Sequence, residues 1–209
     1  MAFARTRRFA HDERREFAHY LATLEPEQWD AATLCEDWRV REVVAHVVSY
    51  DELGLRGLAR RFRTARATGT ERNAVGVAEY VGRTPDELTS LLERYAVPRG
   101  LPAFAGGMVA LVDGLIHHQD IRRALGTPRH IPADRLRHTL RLALLAPPIG
   151  AYRRARGLRL VATDLGWSAG RGRVVEGPGE ALLMALAGRR GVVTELSGPG
   201  RSLLASRIG

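Results

Sequence analysis

Lysine is absent from this chain: apart from histidine, every basic residue is an arginine. There is a single cysteine in 209 residues, and aromatic residues make up only 6%. No apolar run approaches the ~20 residues that a membrane-crossing helix needs, and the first residues show no signal-peptide core. Each shortage excludes something. One cysteine rules out an internal disulfide framework and makes a reducing cytoplasm the expected compartment. The missing apolar run gives no reason to expect a membrane partner. The net charge of +9 invites a nucleic-acid reading. Yet the arginines are spread along the whole chain, and the few aromatics do not interleave with them as a base-stacking surface would. Nucleic acid is therefore not an expected partner.

What is present is an ordinary globular composition, 45% hydrophobic and 26% charged, long enough for one large domain or two small ones. No internal repeat or low-complexity tract stands out. Phe9, Phe17, Tyr20, Leu21 and Leu24, with charges between them, predict an amphipathic helix over residues 9–24. A short helical turn follows at Pro26–Trp29. Residues 33–38 read as a loop, with Asp37 placed to cap a second helix that starts near Arg39. Val40, Val43, Val44 and Val47 form the buried stripe of that helix, and His46 lies at its inward edge. Helical character continues beyond Leu53, becomes arginine-rich by Arg60 and breaks at Gly69-Thr70. A weaker segment at 74–81 leads to Thr84-Pro-Asp-Glu87, a strong helix start running to about Val97. With a central helix over Gly106–Leu125, closed by Gly126, the first 127 residues hold the four main helices that an antiparallel bundle needs.

After the linker 128–132, Ala133–Leu145 is helical, with Leu136, Leu140 and Leu144 on one face. The period then changes. Leu158–Thr163 alternates as a strand, Trp167-Ser168 and Arg173–Val175 suggest two more, and Gly177-Pro178 opens a helix to Leu186. A further short element begins at Val192-Val193. Residues 133–209 thus read as a small α+β domain.

The central helix is apolar on nearly every side in its front half, which places it inside the bundle. Into that surface the sequence inserts Asp113 and, one turn later, His117; Asp120 falls on the same stripe. A carboxylate taken out of water costs several kcal/mol unless something pairs with it. A salt bridge, the neighbouring imidazole or a metal ion would each serve. His46, Asp113 and His117 together offer two imidazoles and one carboxylate from two helices, the donor set of catalytic zinc sites with a position left open. By spacing alone, an Asp-x-x-x-His pair on a helix is also an ordinary polar pair.

Leu34-Cys-Glu-Asp-Trp-Arg-Val-Arg-Glu-Val-Val-Ala-His46 resembles a signature of the mycothiol-dependent maleylpyruvate isomerase family, a branch of the DinB-like four-helix metalloproteins. Ala110-Leu-Val-Asp-Gly-Leu-Ile-His-His-Gln-Asp-Ile121 and the Arg-Ala-Leu-Gly ending at 123–126 are similar to a second segment of that family. Residues 177–189 resemble the C-terminal domain often fused to such bundles, a less specific match. The resemblance implies a mainly α fold: a DinB-like four-helix bundle over residues 1–127 and a small α+β domain over 133–209. It also implies a divalent metal, zinc, held by His46, Asp113 and His117, and mycothiol as the thiol cosubstrate. The characterised isomerases that this segment resembles carry glutamate where this chain has Asp113. The acid here is one methylene shorter, so either the helices sit closer or the ion is held more loosely.

The implied chemistry is that a metal-bound thiol becomes a thiolate at neutral pH and adds to a small electrophilic, acidic molecule. The outcome would be cis–trans isomerisation or thiol transfer, with arginines such as Arg41 at the mouth. The alternative is a non-catalytic metal- or ligand-binding protein of the same fold. Several nearby residues invite blander roles. His118 points about 100° away from His117 and reads as a packing residue or a support for a ligand. Asp120 either orients a ligand imidazole or pairs with Arg122 or Arg123. Cys35 sits in a loop with no histidine near it in sequence, Glu42 pairs with Arg39 or Arg41, and Trp29 and Trp38 read as staples for the second helix. His11, His19, His130 and His138 lie in polar surroundings. Neither a heptad seam nor an exposed apolar patch is legible, so the sequence assigns no oligomeric state.

Overall fold

A computed structural model describes residues 2–208, which divide into two compact units, 2–128 and 129–208. In the first unit the helices are α1 (Ala2–Leu21), α2 (Val40–Val48), α3 (Leu55–Thr68), α4 (Arg72–Ala78), α5 (Pro85–Arg94) and α6 (Phe104–Ala124). Helices α1, α2, α5 and α6 form the bundle. Its core holds Phe17, Leu21, Trp29, Val40, Val43, Val44, Leu88, Leu92 and Ile121, all buried.

Several boundaries differ from the sequence reading. Helix α1 begins seven residues earlier than the apolar pattern; its first turns pack on the start of α6, where Phe3 meets Gly106 and Thr6 is buried. Asp37 does not cap α2. It sits in the left-handed region (φ 67°), and the cap residue is Arg39, whose N–H donates to Glu42 Oε2 at 2.9 Å. The helix ends at Val48 rather than running on, and α3 and α4 pack as a separate pair beside α2. The Thr84 cap forms as expected: Thr84 Oγ1 accepts from Glu87 N–H, and Thr84 N–H donates to the Glu87 carboxylate.

Helix α6 carries the site, and its start is broken. Ala105, Gly106 and Gly107 all have positive φ. A Cβ at Gly107 would lie 3.2 Å from the Ala10 side chain, so glycine allows both the bend and the close approach of α1. The pairing of α1 with α6 is parallel, not antiparallel. Gly106 meets Phe3, Gly107 meets Ala10, His118 meets Glu13 and Thr127 meets Tyr20, in rising order on both helices. Helix α2 runs the other way, since Leu34 bonds to Asp120 while His46 faces Asp113. By length and composition Leu101–Ala124 would suffice to cross a membrane, more than the sequence reading allowed; over half of its apolar window is buried in this fold.

The second unit contains α7 (Ala133–Leu144), α8 (Ala151–Ala155), β1 (Leu158–Ala162), β2 (Trp167–Gly170), β3 (Arg173–Gly177), α9 (Gly179–Leu186) and α10 (Arg201–Ala205). The sheet order is β2-β1-β3, with β1 antiparallel to β2 and parallel to β3. Helix α9 is buried along almost its whole length because the sheet and α7 both pack against it. The short helices α8 and α10 have no apolar period long enough to read from sequence.

One buried ion pair ties the bundle together beneath the site. Arg14 Nη1 on α1 donates to Asp51 Oδ2 (2.9 Å) and to the Tyr95 carbonyl (2.8 Å), and Arg99 N–H donates to Asp51 Oδ1. Both side chains are sealed from solvent. Burial pushes the Asp51 carboxyl up despite Arg14 and the Arg99 N–H. The pair therefore fixes how α1, α5 and the end of α2 meet more than it stabilises them. Replacing Arg14 alone by methionine is expected to cost about 3–5 kcal/mol, because Asp51 is left uncompensated. The Arg14→Met/Asp51→Leu double variant should cost clearly less than Arg14→Met alone in urea unfolding.

Candidate metal centre

The valine stripe of α2 turns His46 inward, leaving it 6% exposed. On α6, residues four apart share one face, which puts Asp113 and His117 opposite it. His46 Nε2 lies 3.4 Å from Asp113 Oδ1, and His117 Nε2 lies 3.5 Å from the same oxygen. One donor atom from each of the three falls within 4.8 Å of the others. The two imidazoles meet edge to face, with centroids 4.9 Å apart. The imidazoles are buried, whereas the Asp113 side chain keeps 35% of its surface exposed and so marks the mouth.

These separations suit shared ligation better than hydrogen bonding. At 3.4–3.5 Å a charged pair is loose by hydrogen-bond standards. Donors about 2.0–2.1 Å from a tetrahedral ion lie roughly 3.3–3.4 Å apart. The donor set, two nitrogens and a carboxylate oxygen, is one that zinc takes. The shorter acid does reach both imidazoles, which favours closely set helices over a looser grip.

The surroundings hold the donors in place. Asp120, fully buried, faces His117 Nδ1 at 3.0 Å, a geometry that orients the imidazole. Trp38 is more than a staple: its ring centroid lies 5.0 Å from that of His46 and 6.4 Å from that of His117. Tyr50 stands edge-on to His46, and its hydroxyl donates to Asn73 Oδ1 on α4.

His118 faces elsewhere, stacked on Phe17 with centroids 4.4 Å apart. Arg122 Nε donates to its Nε2, so its proton sits on Nδ1 and goes to Glu13. Arg41 is engaged by Asp30 at 2.9 Å, and Glu42 by Arg39 at 2.6 Å. Cys35 is the residue that sequence spacing missed. The Leu34 N–H bonds to the Asp120 carbonyl, which brings this loop beside His117 and Asp120.

The charges reinforce one another. Burial opposes ionisation of Asp113, but His117 and His46 outweigh it and hold the carboxyl well below the usual range. Burial also opposes a proton on His117, yet Asp113 and then Asp120 raise its pKa to about 9. A raised imidazole pKa contributes stability in full below its unfolded value, and that contribution is lost as pH rises through the folded value. Metal-free protein should therefore lose stability as pH climbs from about 6.5 through 9. Thermal unfolding in chelator across this window checks it, and Asp113→Asn should flatten the dependence.

No curated protein sequence matches the chain significantly. Two crystal structures are similar in fold: the mycothiol-dependent maleylpyruvate isomerase and a histidine-to-alanine mutant of it. Each has a TM-score of 0.62 and 16% identity over 94% of this chain and 92% of the other. The family model of the mycothiol maleylpyruvate isomerase N-terminal domain matches residues 10–162, which span the bundle, both donor helices and the first strand. The chain belongs to the mycothiol maleylpyruvate isomerase N-terminal domain family.

Proposed function

We propose that this protein is a metal- and thiol-dependent isomerase or transferase. Mycothiol is the thiol cosubstrate, and the substrate is a small electrophilic, acidic molecule, with maleylpyruvate the first to test. His46, Asp113 and His117 hold the divalent cation, zinc. The observation that carries this reading is the convergence of two imidazoles and one carboxylate, at ligand spacing, in a chain of this family.

A cation held there would supply Lewis acidity, lowering the pKa of a coordinated thiol so that it reacts as thiolate at neutral pH. The protein's own groups do the rest. Asp120 keeps the His117 Nδ1 proton, so Nε2 is the nitrogen turned toward Asp113 and the ion. Before loading, the raised pKa of His117 means that Nε2 also carries a proton at neutral pH, and that proton leaves to solvent. Trp38 and Tyr50 wall the imidazoles with aromatic surface, which limits water on that side and strengthens the local charges. The exposed part of Asp113 leaves the approach open to thiol and substrate.

Protein purified without an affinity tag should contain about one divalent ion per chain by mass spectrometry, and His46→Ala should lose it. Unchanged metal in His46→Ala would overturn the assignment. Asp120→Asn keeps all three donors yet should weaken metal affinity roughly 10–100-fold. Metal-loaded protein should isomerise maleylpyruvate, or couple a related electrophile to mycothiol, only when the thiol is present. Full metal occupancy with no thiol-dependent turnover would instead favour a non-catalytic binding protein of the same fold.

A further inference from the structure

His117 belongs to two donor clusters. Beside the first, Cys35, His117 and Asp120 also place one donor atom each within 4.8 Å of one another. Asp120 is fully buried, His117 nearly so, and Cys35 is half-buried. The loop holding Cys35 is pinned on both sides. Its own N–H donates to Thr33 Oγ1, the Thr33 hydroxyl donates to the Trp38 carbonyl, and Leu34 is bonded to Asp120. His117 turns Nδ1 toward Asp120 on this side and Nε2 toward Asp113 on the other.

We propose that Cys35, Asp120 and His117 Nδ1 form a second cation site, selective for a thiophilic ion such as cadmium, whose occupancy excludes a cation at His46, Asp113 and His117. Selectivity follows from the donors: the first cluster offers only nitrogen and oxygen, whereas this one adds a thiolate, which soft ions prefer. Binding releases the Cys35 thiol proton and the His117 Nδ1 proton to solvent, and the cation takes the Nδ1 position. A neutral imidazole keeps one proton, which then sits on Nε2. Nε2 thereby becomes a donor facing Asp113 and has no lone pair for the first ion. The exclusion rests on the metal reading proposed above; the thiolate site does not.

Cys35 is the only cysteine, so a thiolate-to-metal charge-transfer band reports on this site alone. Cadmium added to chelator-stripped full-length protein should raise that ultraviolet band and saturate at about one ion per chain. Cys35→Ser should lose the band. Asp120→Asn should shift its midpoint to roughly tenfold higher cadmium or more, while His46→Ala leaves it in place. Absence of the band in the unsubstituted protein overturns the proposal. So does the reverse pattern, in which His46→Ala weakens the band and Asp120→Asn does not, because Cys35 would then be reaching into the first cluster. Two cadmium ions per chain overturn the exclusion. Cys35→Ser should still bind one ion without the band. If it binds none, the exclusion falls with the first site, and the band in the unsubstituted protein still upholds the thiolate site.

Discussion

Everything in the helical unit accommodates one expensive feature, an ionised carboxylate set into the apolar face of α6. Asp113 is kept charged by two imidazoles rather than by an arginine, although the chain has arginines to spare. The choice has chemical consequences. A guanidinium would satisfy the carboxylate permanently and leave nothing to coordinate. Imidazoles can yield their protons, so the same three groups can balance charge without a metal or offer three donors to one.

The arginines are used one layer further out, where permanence is an advantage. Arg14 is committed to Asp51, Arg122 to His118, and Arg61 to Ser49 and Glu79. None of these guanidinium contacts involves a donor of the first cluster. Asp51 shows how closely the layers are coupled, since the negative charge of Asp113 is among the influences that raise its carboxyl. The bundle thus keeps fixed ion pairs at its joints and titratable pairs at its centre. His118 beside His117 shows the division within one turn of α6: the first faces Glu13 and Arg122, the second faces Asp113 and Asp120.

The convergence of His46, Asp113 and His117 was legible in the sequence because helical geometry is local. Asp113 and His117 share a face by spacing alone, and the valine stripe of α2 fixes where His46 points. What the sequence did not reveal depends on contacts between segments distant in the chain. Cys35 has no histidine near it in sequence, yet the Leu34–Asp120 hydrogen bond delivers it to one. Trp38 reads as a staple because its periodic neighbours are the valines of α2, and only the crossing of α2 with α6 sets it against the imidazoles. Asp37 looks like a helix cap by residue type, but backbone twist placed it in the left-handed region and handed the cap to Arg39. The parallel run of α1 and α6 was hidden for a related reason. Counting helices gives a bundle, but not which neighbours run together.

That topology also explains how a short acid can serve. The glycine break before Met108 lets α1 approach α6 closely, and the tight joint behind α6 holds its other face toward α2. With His46 and His117 each about as far from Asp113 Oδ1 as ligands of one ion stand from one another, no extra methylene is needed to bridge the helices. A longer acid at 113 would have to fold back or push α2 outward, against a valine face that is already packed to full burial. The short acid and the close set of the two helices belong to one arrangement, and the spacing of the three groups records it.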